Sequence, residues 1–412
     1  MKNFRLGLGS LIADDMGLGK TLQVITALDE LKREGELKTG KVIAVVPATL
    51  LTNWVREIRK FAPNLTAEIY HGSDRKLGDP DKRPDVLLTT YGTLRRDSEQ
   101  LSKLSWRVMV MDEAQAVKNT GTGAYAAASS FPADRVIAMT GTPVENRLME
   151  YWSIFSIVQP GLLGTASDFR ENFSVPIENE HDPRAAEAFR KLVAPFMLRR
   201  MKTDKAIISD LPDCIVQDVM TTLLPEQAYL YQETLTRNLD AISRAEANSR
   251  DKQVKRRALV LKLITELKQI CNSPSQYNKQ WSETPDSAKA ETLFELLDEC
   301  RENGRKVLVF TQYREMGELL QGWIAKKTGR KPEFLHGGVS VARRAVMVDD
   351  FQNNPDSHIL LVSLKAGGTG LNLTAASVVI HYDLWWNPAV ESQASDRAWR
   401  IGQQRDVLAV SY

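Results

Sequence analysis

The residues best suited to chemistry come early. Asp14-Asp15-Met16-Gly17-Leu18-Gly19-Lys20-Thr21 follow a short apolar run, precede a helical stretch at 22–32 and end in Gly-Lys-Thr. Gly17 and Gly19 let backbone N–H groups face phosphate oxygens, Lys20 supplies a fixed positive charge, and the Thr21 hydroxyl can ligate Mg2+. The strict phosphate-loop pattern has Gly where Asp14 stands, so the loop alone also admits a plain glycine-rich turn. A second segment, Val108-Met109-Val110-Met111-Asp112-Glu113-Ala114-Gln115, delivers two adjacent carboxylates at the end of an apolar strand. Asp112 is placed to hold Mg2+ through water and Glu113 to orient or activate an attacking water, the two tasks phosphoryl transfer requires. Two acids after a strand usually mark a solvated loop. Found about 90 residues after Gly-Lys-Thr with strands between, they become specific.

Positioning such groups calls for parallel strands. Short β-branched runs at 42–46, 67–70, 86–90, 108–111 and 136–139 alternate with longer amphipathic segments, the pattern of βαβ units. The runs are hydrophobic nearly throughout, as strands covered on both faces must be. A second series at 307–311, 333–336, 359–363, 378–382 and 407–412 follows a helical middle with long helices at 225–248 and 252–270. The expected fold is α/β, with two parallel-sheet lobes and a helical insertion between them: residues 1–200 as a phosphate-binding lobe, 201–285 as insertion and linker, 286–412 as a C-terminal lobe. In an open α/β sheet, ligands belong at the carboxyl ends of the strands.

The chain has 412 residues, long enough for two domains, with 43% hydrophobic and 26% charged residues. A net charge of +2 cannot by itself argue for nucleic acid. Cys214, Cys271 and Cys300 lie far apart without metal-ligand spacing, which fits a reducing compartment. No apolar run approaches the roughly 18 residues needed to cross a bilayer, so no membrane partner and a cytoplasmic location are expected.

Further segments complete a resemblance: Val46-Pro47-Ala48-Thr49-Leu50-Leu51-Thr52-Asn53-Trp54 and Met139-Thr140-Gly141-Thr142-Pro143 in the first half, then Val309-Phe310-Thr311-Gln312-Tyr313, Leu335-His336-Gly337-Gly338, Lys365-Ala366-Gly367-Gly368-Thr369-Gly370-Leu371-Asn372-Leu373 and Gln393-Ala394-Ser395-Asp396-Arg397-Ala398-Trp399-Arg400-Ile401-Gly402-Gln403 in the second. With Asp14 at the head of the phosphate loop, this set resembles the Swi/Snf-type DNA-dependent remodelling ATPases of helicase superfamily two, of bacterial type and cut at both ends. The resemblance implies two RecA-like lobes, ATP and Mg2+ as cofactors, and double-stranded DNA with an unidentified DNA-bound protein as partners. It implies that Asp14, Gly17, Gly19, Lys20, Thr21 and Gly370 bind nucleotide and that Thr21 and Asp112 hold the metal. It implies that Glu113, Gln115, Arg397 and Arg400 act in catalysis, and that Thr49, Asn53, Thr90, Tyr91, Gln312, Gly337, Gly338, Lys365 and Gly367 lie on or beside the DNA backbone. Three departures accompany it. Gln115 stands where the family has His; the upstream segment whose Gln reads adenine is expected to be missing; so is the C-terminal brace.

Arg397 and Arg400 are three apart, and in a helix that spacing puts both on one face. The resemblance turns that face towards the γ-phosphate held by the other lobe. A basic excess between Arg244 and Lys268 is expected as a solvated helix face, and Trp385 and Trp386 as packing between lobes. Three functions remain in play: an ATP-driven duplex translocase that remodels protein–DNA complexes, a strand-separating helicase on the same lobes, and a truncated non-catalytic ATP- or DNA-binding module.

Overall fold

A computed structural model describes residues 2–78, 83–141, 147–202, 204, 211–247, 252–367 and 371–412. The chain divides into two compact units, Met1–Asp210 and Leu211–Tyr412. Each is built on one wholly parallel sheet. In the first unit, β1 (Ser10–Ile12), β2 (Lys41–Val45), β3 (Ala67–Ile69), β4 (Val86–Thr89), β5 (Trp106–Met111), β6 (Ala133–Met139) and β7 (Met197–Leu198) lie in the order β3-β4-β2-β5-β6-β1-β7.

The apolar runs alternate sides. Ile43, Val45, Met109 and Met111 join one core cluster, while Val42, Ala44, Val108 and Val110 join another across the sheet. Both faces are therefore covered, which is why the strands read as continuous hydrophobic runs. The helix Lys20–Arg33 turns Val24, Ile25, Leu28 and Leu31 onto the second cluster, a stripe at 3.6-residue spacing. Its end is marked by Gly35, left-handed at φ 82°.

The second unit holds β8 (Cys214–Asp218), β9 (Lys306–Thr311), β10 (Glu333–Leu335), β11 (Ile359–Ser363), β12 (Ala376–His381) and β13 (Val407–Ser411) in the order β10-β11-β9-β12-β13-β8. Val307, Val309, Val378 and Ile380 pack on one side, and Leu308, Phe310 and Val379 on the other. The two RecA-like lobes expected from the sequence are thus present.

Segment 201–285, expected as a separate insertion, contributes β8 to the second sheet and the helices Pro225–Ala247 and Lys252–Asn272 to the second unit. These two helices are stitched by Gln227 Nε2 donating to Ile270 O (2.9 Å) and Asn238 Nδ2 to Glu266 Oε2 (2.9 Å). Arg256, Arg257 and Lys262 are exposed, as a solvated basic face requires, while Lys268 Nζ lies 4.7 Å from the centre of the exposed Trp386 ring. Trp385 is half-buried against the core of its own unit.

Gly9, just before β1, tests how tightly the first lobe is drawn together. A Cβ there would meet Val158 O at 1.9 Å and Val136 O at 3.0 Å, both backbone atoms with no rotamer to yield. Gly9→Ala is expected to destabilise the protein by about 1–3 kcal/mol, the usual cost of overpacking. Thermal unfolding should show a midpoint several degrees below the parent's, about the shift such a cost gives a lobe of this size.

Candidate nucleotide site and its surroundings

Beyond β1 the backbone turns through Gly17 (φ 83°) and Gly19 (φ 74°). A residue bearing Cβ would strain there by about 1–2 kcal/mol. Gly19 precedes the helix Lys20–Arg33 and offers no side chain to its first N–H groups. Those donors and the positive end of the helix dipole make an anion site. Lys20 Nζ donates to the carbonyls of Asp14 (2.7 Å) and Asp15 (3.1 Å), and Thr21 is half-buried in the first turn. The end of β6 approaches the same loop: a Cβ on Gly141 would fall 2.4 Å from Met16 Cγ and 3.6 Å from Lys20 Nζ.

Asp14 is fully buried. Its carboxylate accepts from Arg200 N (2.9 Å), Arg200 Nε (3.1 Å), Arg200 Nη2 and Gln23 Nε2 (3.2 Å). The segment carrying Arg200 also bonds the loop, with Ala13 N donating to Leu198 O (2.7 Å), Asp15 N to Arg200 O (3.0 Å) and Lys202 N to the Asp15 side chain at Oδ2 (3.0 Å). Sequence reasoning missed Arg200. The signal available was Asp14 itself, since a carboxylate inside an apolar strand-to-helix turn demands a cation.

The acid pair stands at the end of β5. Asp112 is buried, with Trp54 Nε1 donating to Oδ2 (2.9 Å) and Glu113 N to Oδ1 (2.9 Å). Burial, reinforced by the neighbouring Glu113 charge, pushes its carboxyl up to about 7, against the opposing pull of those two N–H groups and Lys20. A divalent cation would hold such a group ionised. With the Thr21 hydroxyl it gives Mg2+ the one or two protein ligands it usually takes beside phosphate and water. The donor set therefore fits the metal. Among the described residues no three His, Cys, Asp or Glu side chains group as a separate cage.

Glu113 has a left-handed backbone at φ 50°, costly for a residue with a Cβ and a mark of functional positions. Its carboxylate accepts from Gln115 Nε2 (2.7 Å), and Gln115 Oε1 accepts from Thr140 Oγ1 (2.9 Å) at the end of β6. Gln115 thus fixes Glu113 to the neighbouring strand with both faces of its amide.

The other residues of the first lobe divide. Thr90 is buried, and its hydroxyl caps the helix Tyr91–Arg96 by accepting from Thr93 N (3.2 Å). Tyr91 OH donates to Asp112 O (2.8 Å), so both hydroxyls are engaged within the lobe. Asn53 Nδ2 donates to Glu57 Oε1 (2.8 Å). Thr49 Oγ1 is buried with no hydrogen-bond partner among the described residues.

In the second unit Gln312 N donates to Asp383 Oδ1 (2.8 Å) and Gln312 Nε2 to Leu384 O (3.3 Å). Gly337 and Gly338 form an exposed turn whose carbonyl side is gathered by Arg344 Nη2, which donates to His336 O and Gly337 O (both 3.2 Å). Lys365 and Gly367 fall in the short helix Leu364–Gly367, with their side-chain surroundings outside the described set, and Gly370 lies outside the described residues.

The arginine pair departs from expectation. The helix Pro388–Ser395 ends before them, so Arg397 and Arg400 do not share a helical face. Leu373 N takes the Arg397 carbonyl (3.0 Å), while Arg397 N and Ala398 N fall back to the carbonyls three residues earlier. Arg397 is buried, and Arg400 is half-buried with Nη1 donating to Leu371 O (3.3 Å). Gln403 Nε2 pins the turns to Thr374 O, Ala376 O and Ala398 O at 2.8–3.1 Å.

His381, at the end of β12, supports the same turns through Ser395 Oγ (2.9 Å) and stacks on Phe310 with ring centres 5.7 Å apart. Burial pulls it from 6.5 down to about 4. Between those values the folded state binds fewer protons than the unfolded one, so stability is complete above about pH 6.5 and falls as pH drops towards 4, by roughly 3 kcal/mol at full extent. Urea unfolding from pH 7 to 4 should show this loss in the parent. In His381→Phe, which keeps the stacking ring, the decline over that window should be shallower by this amount.

The family comparisons agree across the chain. The SNF2-related domain matches residues 3–276, and the helicase conserved C-terminal domain matches residues 288–402. YwqA of Bacillus subtilis, described as an ATP-dependent helicase/translocase, is 40% identical over 97% of this chain and 43% of its own length. The ISWI chromatin-remodeling complex ATPase ISW1 of Saccharomyces cerevisiae is 30% identical over 97% of this chain and 36% of its own. The chain therefore spans about two fifths of these curated relatives. Among solved structures, the Sulfolobus solfataricus SWI2/SNF2 ATPase core in complex with dsDNA is 38% identical, covers 99% of this chain and 84% of its own, and aligns with a TM-score of 0.51. Because the SNF2-related match takes in more than half of the residues and the strand-end motifs fall where that fold needs them, the chain belongs to the SNF2-related family.

Proposed function

We propose that this chain is the motor of an ATP-dependent double-stranded DNA translocase that remodels protein–DNA complexes. The observation that carries the reading is the convergence, at the ends of β1, β5 and β6, of Lys20, Asp112 and Glu113, with Glu113 held by Gln115 and Thr140. In this reading the N–H groups at the start of the helix Lys20–Arg33 and the Lys20 ammonium bind the β- and γ-phosphates. Thr21 and Asp112 hold Mg2+, which when bound neutralises charge on the phosphates. Glu113 orients a water towards the γ-phosphorus; the bond to the water oxygen forms as the bridging bond to ADP breaks, giving ADP and inorganic phosphate. Arg400, helped by Arg397, stabilises the charge of the transition state at the γ-phosphate with its fixed fork of donors.

Thr49, Asn53, Gln312, Gly337, Gly338, Lys365 and Gly367 are proposed along the DNA backbone, with Thr90 and Tyr91 supporting that surface from within. Contacts of this kind bind phosphates without reading bases. The dsDNA held by the Sulfolobus relative favours a duplex track. Triplex displacement without unwinding of a tailed duplex would support translocation, whereas unwinding would support the helicase alternative.

Duplex DNA is expected to stimulate ATP hydrolysis, with an apparent affinity that falls steeply with salt and hardly varies with sequence. Lys20→Ala should abolish turnover at an unchanged thermal midpoint. Arg400→Ala should bind a fluorescent ATP analogue as the parent does yet hydrolyse ATP about a thousandfold more slowly. Turnover within a few-fold of the parent in Arg400→Ala would remove the second unit from the chemistry. Absence of ATP turnover with any duplex would leave the non-catalytic module.

A further inference from the structure

The Asp14–Arg200 pair has an arrangement that the phosphate site does not explain by itself. Asp14 meets two cations through different groups: its carboxylate meets the Arg200 guanidinium, and its carbonyl meets the Lys20 ammonium at 2.7 Å. The carboxylate is fully buried, so its charge must be matched locally. Arg200 does this with two side-chain N–H groups, its guanidinium being one-third exposed at the edge of the loop. Gln23 adds a neutral donor.

We propose that Arg200 is a positioning residue of the phosphate site: by neutralising Asp14 it keeps the loop's own carboxylate from capturing the Lys20 ammonium, and so leaves that charge available to nucleotide. The assignment rests on the proposed ATP site. Without Arg200, Asp14 becomes an uncompensated buried anion. Lys20 already touches this residue, and its flexible four-carbon stem lets the ammonium turn from carbonyl to carboxylate. A lysine so paired binds the triphosphate weakly, because nucleotide must first break the new ion pair. The loss falls on binding more than on the chemical step, since Asp112, Glu113 and Gln115 are untouched. Arg200 also lies on the strand-like segment through which the chain leaves the first unit, whose backbone bonds the loop at Ala13 and Asp15. The guanidinium therefore reaches Asp14 from a backbone already held in register.

The test is a charge cycle on the whole chain, read by titration with a fluorescent ATP analogue in Mg2+ and by steady-state hydrolysis with duplex DNA. Arg200→Ala should raise both the analogue Kd and KM for ATP by about tenfold or more, with kcat changed less than about threefold. Adding Asp14→Asn to Arg200→Ala removes the captor and should return Kd to within about threefold of the parent. Arg200→Lys, which keeps the charge, should stay close to the parent. If Arg200→Ala does not fold, Arg200→Gln, which keeps a hydrogen-bond donor without charge, carries the same expectation and the same rescue.

A Kd within twofold of the parent in the charge-removing variants overturns the assignment. So does a loss confined to kcat and thermal midpoint, or a double variant that binds no better than the single one. A parent protein that neither binds the analogue nor hydrolyses ATP overturns the proposed function, and the assignment falls with it.

Discussion

A parallel sheet covered on both faces leaves its strand ends as the place where polar chemistry can meet solvent, and that constraint organises this protein. In the first unit alternate residues of β2 and β5 are buried in opposite clusters, so no side chain within the strands can serve a ligand. Asp14, Asp112, Glu113 and Thr140 follow immediately where strands β1, β5 and β6 stop. Parallel topology puts those stops on one edge. The same rule operates in the second unit, where Gln312, Lys365 and Asp383 follow β9, β11 and β12.

Placing carboxylates at a closed edge has an electrostatic cost, and the structure meets it differently at each acid. Asp14 is matched by a cation and keeps its charge compensated from within the protein. Asp112 receives neutral N–H donors from Trp54 and Glu113, and burial beside the Glu113 charge outweighs them and pushes its carboxyl up to about 7. The difference follows the tasks. Under the proposed function, an anion that only supports the loop needs a permanent partner, whereas one that takes Mg2+ leaves its compensation to the incoming cation. Glu113 is handled by geometry instead: it follows β5 with a left-handed backbone, and Gln115 fixes its carboxylate.

Much of this was legible in the sequence, for physical reasons. The runs at 42–46, 86–90, 108–111 and 359–363 coincide with strands to within two residues, because doubly covered strands must be apolar throughout. The glycines of the phosphate loop were legible because positive φ admits few other residues. Strands β7 and β8 were not, being edge strands: Leu198, Ile215 and Val216 are exposed, so no burial pattern singles them out. Arg200 was hidden because its partner is 186 residues away, and charge pairing leaves no periodic trace. The arginine turns were misjudged for a related reason. Spacing of three suits a helix, but Leu373 reaches in from a distant loop to take the Arg397 carbonyl and ends the helical hydrogen bonding.

Gln115 shows how far a single departure from a family pattern can be interpreted from geometry. Its amide donates to Glu113 and accepts from Thr140 at the same time, joining the ends of β5 and β6. A neutral imidazole in one tautomer could make the same two bonds, but a protonated one has two donors and no acceptor, and Thr140 would have to reverse its hydroxyl. The amide carries no charge beside Glu113 and does not titrate. The connection from Glu113 to the neighbouring strand therefore needs no particular protonation state of residue 115.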